Sequence, residues 1–351
     1  MSVIDPRIAR RPGDSGLFVA LAPMDGVTDW VYRDLLTRMH GGQSGISMCV
    51  SEFVRVCTIT VVRKVIEKHC PEVHTGGRTA AGVPVFVQLL GGNPGPMAST
   101  AARCVEMGAP GIDINFGCPS KTVNGSDGGA TLLKYPHRVE AITAAVRSAV
   151  PSSIPVTVKI RLGWDSSDDV ETIARAIENG GASWLTIHAR TRMQGYRPPV
   201  DWAGIGRARE AVSMPVVANG DLNTVADVEA CQSISGCTAF MVGRGAMGRP
   251  RLFRQLRGHR EPELDVEWLC ETLREYLEML LRGGATEHAA LGRCKQWLRL
   301  AAPASPIYEG MFQRLKRSRD IGALLAGLPV GIPAGPRRLQ PERPHGVSAR
   351  P

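Results

Sequence analysis

The chain has 351 residues, of which 43% are hydrophobic and 21% charged, a composition that excludes a largely disordered or collagen-like protein. Its formal net charge is +9, so an acidic partner such as nucleic acid has to be considered. No stretch approaches the roughly 18 apolar residues of a membrane span, and the nine cysteines include no C-x-x-C pair, which argues against a disulfide scaffold or a structural zinc or Fe–S site.

The two ends of the chain differ from the rest. Residues 1–16, MSVIDPRIARRPGDSG, contain no apolar run of the kind that a secretory signal needs. Free thiols favour a reducing compartment. Residues 327–351 are rich in Pro and Gly and lack apolar periodicity, which predicts disorder. We therefore expect a cytoplasmic protein whose fold lies between residues 17 and 326.

Short apolar runs bounded by Gly, Pro or Asn recur along the chain. Both faces of each run are apolar, which is typical of buried parallel strands. The predicted strands are residues 17–24, 45–53, 83–90, 111–117, 156–163, 184–190, 215–221 and 239–245.

Amphipathic stretches of helical period separate these strands, for example at residues 29–39, 137–150, 168–181 and 224–235. Eight strands that alternate with helices over about 250 residues predict an α/β fold, a (β/α)8 TIM barrel, at residues 17–258. Three further apolar-periodic stretches, at 264–284, 286–301 and 307–326, predict a smaller, arginine-rich, all-helical unit over residues 259–326.

Polar residues follow each predicted strand. In this fold the catalytic face lies at the carboxyl ends of the strands, so these side chains are expected to converge on one rim. In chain order the strand ends supply Pro23, Met24 and Asp25; Glu52 and Arg55; Gln88; Asn115 and Cys118; Lys159 and Arg161; His188 and Arg190; Asn219, Gly220 and Asp221; and Gly243, Arg244 and Gly245.

Cys118 lies beyond Asn115, in a loop that Gly117 opens and Pro119 fixes, and not inside the strand where a core cysteine belongs. We infer a catalytic cysteine. The residues alone leave two chemistries open: a nucleophile, which needs a lowered pKa and a partner base, and a general acid, which must remain a thiol. The following glycine-rich stretch, NGSDGG at 124–129, can move as a lid.

Lys159 and Arg161 are two residues apart on a strand and therefore share one side of it. A lysine in the barrel mouth is costly unless an anionic group meets it. This favours a bound anionic cofactor, with an ion pair to an acidic neighbour as the alternative. His188 alone fits a hydrogen-bonded rim histidine as well as a functional one.

Two local patterns suggest other sites. GRGAMG at 243–248 matches G-x-G-x-x-G, but the sequence after it is helical and lacks the further strand of a Rossmann unit. In a barrel the loops after strands seven and eight commonly hold a phosphate, which we expect here, with plain turn glycines as the alternative. HCPEVH at 69–74 has no completing ligands in view, so we expect no metal.

Several segments of the chain form one recognisable set: APMDGVTD, SEFVRV, QLLG, DINFGCPSKTVNGSDGGATLL, VKIRLGWD, HARTRMQGY, VVANGD, MVGRGAM and KQWL. Together they resemble the tRNA-dihydrouridine synthases over about residues 17–320. The likeness is closest to the type C branch, which acts on uridine 16 of the D-loop, through EFVRV, SKTVNGSDGGATLL and RLGWDS.

The resemblance implies an FMN-dependent barrel with a C-terminal helical domain that uses NADPH to reduce the C5=C6 bond of a uracil in tRNA. Hydride would pass from flavin N5 to C6, and Cys118 would give the proton to C5. The implied flavin contacts are Pro23, Met24 and Asp25 along the ring; Gln88 at its pyrimidine edge; Lys159 and His188 at the N1/O2 side and ribityl chain; and Asn219, Gly220, Asp221, Gly243 and Arg244 at the phosphate.

The resemblance also implies tRNA as the partner, with no membrane and no metal, and we expect a monomer. The target uridine has to leave its stacked setting, which needs a deep mouth and a basic surround. On one helix, Lys295 and Arg299 share a face and Arg293 shares another with Gln296. The implied tRNA contacts are Arg55, Asn115, Lys121 and Arg161 on the rim, and Arg293, Lys295, Gln296 and Arg299 on the helical unit.

Two positions depart from the type C pattern: Phe116, where that branch usually has cysteine, and Asp25, where it usually has glutamate. Neither is expected to touch the proton donor, and both bear on which uridine is modified. Two other functions compete with this interpretation. One is a small-molecule flavin dehydrogenase of the dihydropyrimidine or dihydroorotate kind, against which the basic helical unit argues. The other is a non-catalytic tRNA-binding protein, against which Cys118 and Lys159 argue.

Overall fold

The predicted strands all form, and they close into one barrel. A computed structural model describes residues 12–125, 127–262 and 266–329, so most of the two predicted terminal segments lies outside the described residues. The strands are β1 (Phe18–Leu21), β2 (Met48–Val50), β3 (Val54–Arg55), β4 (Val85–Leu90), β5 (Ile112–Phe116), β6 (Val156–Arg161), β7 (Trp184–His188), β8 (Val216–Asn219) and β9 (Ala239–Val242).

All of the pairings between these strands are parallel, and they run in sequence order around the ring. β1 pairs with β9 on one side and with β2 on the other, which closes the barrel. β2 and β3 both pair with β4, so together they occupy the second strand position. The predicted (β/α)8 barrel is therefore confirmed, although the second strand is two short pieces and not the continuous run 45–53.

The break in the second strand has a local cause. Ser51 accepts a hydrogen bond from the backbone N–H of Gln88 (3.1 Å) and donates one to the carbonyl of Glu52 (2.8 Å). The Glu52 carboxylate accepts from the backbone N–H of Gly26 (2.5 Å). The strand is therefore interrupted at Ser51 and Glu52, whose side chains form hydrogen bonds to β4 and to the loop that contains Gly26.

Helices follow the strands, as predicted. The barrel helices are α1 (Trp30–Gly42), α2 (Arg63–His69), α3 (Pro94–Glu106), α4 (Lys121–Asn124), α5 (Pro136–Ala149), α6 (Val170–Asn179), α7 (Trp202–Glu210), α8 (Val225–Ser235), α9 (Gly245–Gly248) and α10 (Leu252–Gln255). The C-terminal helices are α11 (Val266–Arg282), α12 (Glu287–Ala301), α13 (Pro306–Leu315) and α14 (Ile321–Gly327).

One helix prediction was wrong. The stretch 307–326, predicted as a single helix, is two helices, α13 and α14. The Asp320 side chain accepts from the backbone N–H of Ala323 (2.7 Å) and starts a new helix there, since a side chain that caps the first turn favours initiation over continuation.

The barrel interior changes character along its axis. Its lower part is an apolar cluster that includes Phe18, Met48, Phe86, Trp184 and Met241. Alternate residues of a strand point to the same side, so the inward-facing row continues towards the carboxyl ends of the strands. In this upper part the inward-facing residues are polar. This polar layer contains Gln88, Asp113, Asn115, Thr157, Lys159, Thr186, His188 and Asn219.

An aromatic cluster packs the C-terminal helices against the barrel. Tyr32 on α1, Tyr276 on α11 and Trp297 on α12 stack edge to face, with ring centroids 5.0 to 6.2 Å apart. Trp297 donates through Nε1 to the carbonyl of Met247 (2.8 Å), and the Tyr32 hydroxyl donates to that of Ala246 (3.2 Å). These contacts place α12 beside the carboxyl ends of the barrel strands.

A buried ion pair holds the HCPEVH segment. Arg33 on α1 donates through Nε and Nη2 to the two carboxylate oxygens of Glu72, at 2.9 and 2.8 Å, and the two side chains are 0% and 8% exposed.

Glu72→Gln leaves the buried Arg33 charge uncompensated. We expect the free energy of unfolding to fall by about 3–5 kcal/mol, as measured by urea denaturation.

The exposed pair of Arg38 with Asp34 provides the matched control, since the two side chains are 40% and 20% exposed. Arg38→Gln is expected to cost less than about 1 kcal/mol. A loss in Glu72→Gln no larger than in this control would contradict the structural role of the buried pair.

Candidate active site

The carboxyl ends of the strands open into a cavity of about 840 Å³. The structure brings most of the predicted site residues onto its wall. They are Cys118; the predicted cofactor residues Pro23, Met24, Asp25, Gln88, Lys159, His188, Asn219, Gly220, Asp221, Gly243 and Arg244; and the predicted tRNA residues Arg55, Asn115, Arg161, Gln296 and Arg299.

The loop that carries Cys118 is held from two sides. In front, the side-chain oxygen of Asn115 accepts from the backbone N–H groups of Gly117 (2.9 Å) and Cys118 (2.6 Å). Behind, Gly129 has φ +64°, and a Cβ there would lie 2.7 Å from the carbonyl oxygen of Cys118, so only glycine fits. The backbone N–H of Ala130 donates to the same carbonyl (3.1 Å).

Burial raises the pKa of the Cys118 thiol above its usual value, and the carboxylate of Asp25 raises it further. The backbone N–H of Ser120 and the charges of Arg161 and Arg55 act in the opposite direction without reversing the shift. The thiol is therefore protonated at neutral pH, which favours the general acid over the nucleophile. Asp25, which was not expected to touch the proton donor, acts on it through its charge.

Lys159 on β6 lies partly buried at the base of the cavity. Burial, together with the charge of Arg161, lowers its pKa to about 8, while Asp113 opposes this shift. Its amine donates to the side-chain oxygen of Asn219 (3.2 Å), an amide rather than a carboxylate. This contact favours an anionic or electron-rich ligand over the alternative of a structural ion pair.

His188 on β7 presents a buried Nδ1 that has no hydrogen-bond partner among the residues that the structure describes. Burial, with the charges of Lys159, Arg161, Arg190 and Arg244, lowers its pKa well below the usual range. The imidazole is therefore neutral. A buried polar atom without a partner is rare, so this nitrogen fits a hydrogen-bonding group of a bound ligand.

The carboxylate of Asp221 is held by two arginines. Arg190, only 1% exposed, donates to both of its oxygens, and Arg244 donates to Oδ1 (2.8 Å). Gly220 has φ +121°, and a Cβ there would meet Ala189 at 3.1 Å. The Asp221 side chain thus positions Arg244, and only its backbone N–H remains for the phosphate contact that the sequence suggested.

The residues of this site that were not predicted as contacts include Tyr196, which lines the cavity, and Arg190, which was expected only as a strand-end residue. The Tyr196 ring, 56% exposed, has the guanidinium of Arg161 at 5.2 Å and that of Arg244 at 4.8 Å, and the ring of His188 at 6.0 Å. The segment HARTRMQGY contained the signal, since it sets an aromatic residue among arginines directly after a strand.

The four helical residues expected to contact tRNA lie in different surroundings. Gln296 and Arg299 line the cavity. Arg293 instead pairs with the carboxylate of Asp29 (3.3 Å) at the junction with the barrel, and the Lys295 amine bonds the carbonyl of Ser318. Of the rim residues, Lys121 begins α4, and its side chain lies outside what the structure describes.

Two further properties concern the described residues as a whole. Nowhere in residues 12–125, 127–262 and 266–329 do three His, Cys, Asp or Glu side chains gather in a way that could hold a metal ion. No helix within these ranges combines the length and apolarity needed to cross a bilayer.

The closed barrel and the polar cavity at its carboxyl end define a TIM-barrel enzyme. The profile of the dihydrouridine synthase (Dus) family matches residues 20–315, and the chain belongs to this family. The family resemblance inferred from the sequence and the expectation of an enzyme are therefore confirmed. Membership implies a flavin cofactor and a nicotinamide reductant.

Curated relatives extend the match over most of the chain. A tRNA-dihydrouridine(16) synthase of Pseudomonas putida is 44% identical over 306 residues, covering 86% of this chain and 93% of the relative. That of Escherichia coli K12 is 42% identical over 316 residues, covering 89% and 98%. A solved variant of NCR from Zymomonas mobilis is similar at a TM-score of 0.49 with 16% identity, covering 75% of this chain and 94% of that one, a likeness too distant to bear on function.

The protonation state of Cys118 can be tested without any ligand. Because only the thiolate reacts with iodoacetamide and the pKa of this thiol is raised, its alkylation rate should keep increasing with pH. We expect no plateau below about pH 9, as followed by mass spectrometry of the peptide that contains Cys118. A plateau below pH 8 would show a thiolate at neutral pH and would restore the nucleophile.

Proposed function

We propose that the protein is an FMN-dependent, NADPH-driven enzyme that reduces the C5=C6 bond of uridine 16 in the D-loop of tRNA, in the cytoplasm, to 5,6-dihydrouridine. The observation that carries the proposal is the protonated Cys118 thiol in a cavity whose base holds the cation Lys159 and the unpartnered nitrogen of His188. The names of the relatives support tRNA as the substrate and position 16 as the target.

The cavity residues fit a flavin mononucleotide. Lys159 and His188 lie at the base of the cavity, where they would form hydrogen bonds to an electron-rich edge of the flavin ring. The Gln88 amide lies in the same layer. Arg244, which is 42% exposed at its side chain, would hold the phosphate with the backbone N–H groups after β8 and β9. When bound, reduced flavin supplies the hydride to C6.

The chain itself supplies the proton and the binding of the base. The Cys118 thiol donates to C5, and its raised pKa keeps that proton available at neutral pH. Asn115, Arg161 and Tyr196 lie on the same wall, and they would bind the uracil and stabilise the charge that develops on its C4 carbonyl.

The position of α12 favours a macromolecular substrate over a free pyrimidine. Gln296 and Arg299 from this helix form part of the cavity wall, so a ligand in the cavity lies beside the helical unit. We assign this unit to residues 259–326 and the barrel to residues 17–258. The basic side chains of the unit would contact the phosphates of tRNA.

The decisive experiment is anaerobic. The flavin of the purified protein is reduced with NADPH, and unmodified tRNA or free uridine is then added while the flavin absorbance is followed. Rapid reoxidation by tRNA alone, lost when uridine 16 is replaced, is expected. Reoxidation by free uridine would favour the small-molecule dehydrogenase, and reoxidation by neither would favour a non-catalytic tRNA-binding protein.

In the same assay Cys118→Ala is expected to slow reoxidation by tRNA about 10²- to 10⁴-fold, the usual contribution of a general acid, while the flavin content of the protein stays unchanged. Cys57→Ala is the matched control, since Cys57 is exposed and does not line the cavity. A Cys118→Ala variant as fast as this control would remove the proton-donor role.

Lys159→Met is expected to weaken FMN binding about 10- to 100-fold, the value of a hydrogen bond from a charged group. Because the pKa of Lys159 is lowered to about 8, the wild-type amine loses its proton above that pH. FMN affinity should therefore fall between pH 7 and 9 in the wild type and not in the variant, as measured by titration of the flavin-free protein.

Lys295→Met is the matched control for this titration, because the Lys295 amine bonds the carbonyl of Ser318 away from the cavity. Its FMN affinity and the pH dependence of that affinity are expected to equal those of the wild type. A wild-type affinity that stays constant from pH 7 to 9 would argue against an ammonium contact with the flavin.

A further inference from the structure

A chain of hydrogen bonds runs from the barrel interior to the Cys118 loop. Thr157 Oγ1 donates to Asp113 Oδ1 (2.5 Å), and Gln88 Nε2 donates to Asp113 Oδ2 (2.7 Å). Asn115 Nδ2 donates to Gln88 Oε1 (2.9 Å). The oxygen of Asn115 then accepts from the backbone N–H groups of Gly117 and Cys118.

At one end of this series of hydrogen bonds lies a group that can only accept, and at the other end lie groups that can only donate. An ionised carboxylate can only accept, so Gln88 must turn its NH₂ towards Asp113. Backbone N–H groups can only donate, so Asn115 must turn its oxygen towards Gly117 and Cys118. The NH₂ of Asn115 then meets the oxygen of Gln88, and both ends require the same orientation of the two amides.

Asp113 does not reach the cavity. It is 1% exposed and is absent from the cavity wall, whereas Gln88, Asn115 and Cys118 all lie on it. The hydrogen bonds of Asp113 therefore reach the cavity only through these residues, while its charge also acts on Lys159.

We propose that Asp113 is a positioning residue: its carboxylate sets the orientation of the Gln88 and Asn115 amides and, through Asn115, the position of the loop that carries Cys118. This role rests on the proposed function, in which Gln88 faces the flavin and Asn115 faces the uracil. An amide turned the wrong way would present a donor where an acceptor is needed, and it would release the loop backbone.

The proposal predicts a pH dependence. Burial raises the pKa of Asp113 to about 6, against the hydrogen bonds from Gln88 and Thr157 and the charge of Lys159. Of the side chains that act on it, Gln88 on β4 and Thr157 on β6 are uncharged, and Lys159 on β6 is the cation. Below about pH 6 the Asp113 carboxyl gains a proton and can donate a hydrogen bond as well as accept one. The Gln88 and Asn115 amides are then no longer restricted to this orientation. Activity should therefore fall as the pH drops through about 6.

Two substitutions at this position separate positioning from packing. Asp113→Leu has a similar size and removes the acceptor, so kcat for tRNA reduction is expected to fall about 10- to 100-fold, the effect of misplaced reacting groups. Asp113→Asn, like the protonated acid, offers one acceptor and a donor, so it no longer requires this orientation. We expect its kcat at pH 8 to lie near that of the wild type below pH 6, and to show no further fall as the pH drops through 6.

Thr143→Val is the matched control, since Thr143 is equally buried and its hydroxyl bonds the carbonyl of Val139 within α5, away from the cavity. Its kcat and pH profile are expected to equal those of the wild type. The proposal is overturned if Asp113→Leu is as active as this control, or if Asp113→Asn keeps the acid limb near pH 6. Because the Asn variant is judged by its pH profile, the test survives poor folding of the Leu variant.

A second readout needs neither flavin nor tRNA. Loss of the Asn115 contact should free the loop, so the Cys118 thiol of Asp113→Leu should react with iodoacetamide several-fold faster than that of Thr143→Val at equal pH. Equal rates would overturn the proposal. If the wild type fails to reduce tRNA, the proposed function fails, whereas this alkylation comparison still decides whether Asp113 positions the loop.

Discussion

Polar side chains inside a closed barrel have little water to bond, so they must bond one another or a ligand. On the side of β4 and β5 the requirement is met internally, because Gln88, Asp113 and Asn115 satisfy one another. On the side of β7 this requirement is not met, since the Nδ1 of His188 has no hydrogen-bond partner among the described residues. The satisfied side is preorganised and the unsatisfied side is where a ligand completes the layer.

The same layer depends on where the helical unit sits. The edge-to-face packing of Tyr32, Tyr276 and Trp297 brings α12 against the first strand end. Arg293, paired there with Asp29, lies next to Gly26, whose backbone N–H is held by Glu52. The loop that presents Asp25 to the cavity is thus held by the barrel and covered by the helical unit, so movement of one unit against the other would change the site.

Much of this could be predicted from the sequence, because parallel strands buried on both faces read as apolar runs and the fold places their ends together. Cys118, Lys159 and His188 were found in this way. Asp113 was missed because it lies within an apolar run, where a lone acid gives no sign of its partners. Helical spacing shows which residues of α12 share a face, but it could not show that Arg293 pairs with Asp29 or that Lys295 bonds Ser318. The break at Asp320 was missed because apolar periodicity continues through it.

Burial in the cavity shifts the pKa values of its acid and of its amine in opposite directions. Burial disfavours charge on any group, so it raises the pKa of the Cys118 thiol and lowers that of the Lys159 amine. For the cysteine this retains the proton that a general acid must give. For the lysine it weakens the hold on the proton, but with a pKa of about 8 the amine stays mostly charged at neutral pH. Asp221 does not neutralise this charge, because Arg190 and Arg244 already bind its carboxylate. At neutral pH the cavity therefore holds both a protonated acid and a cation that an electron-rich ligand can approach.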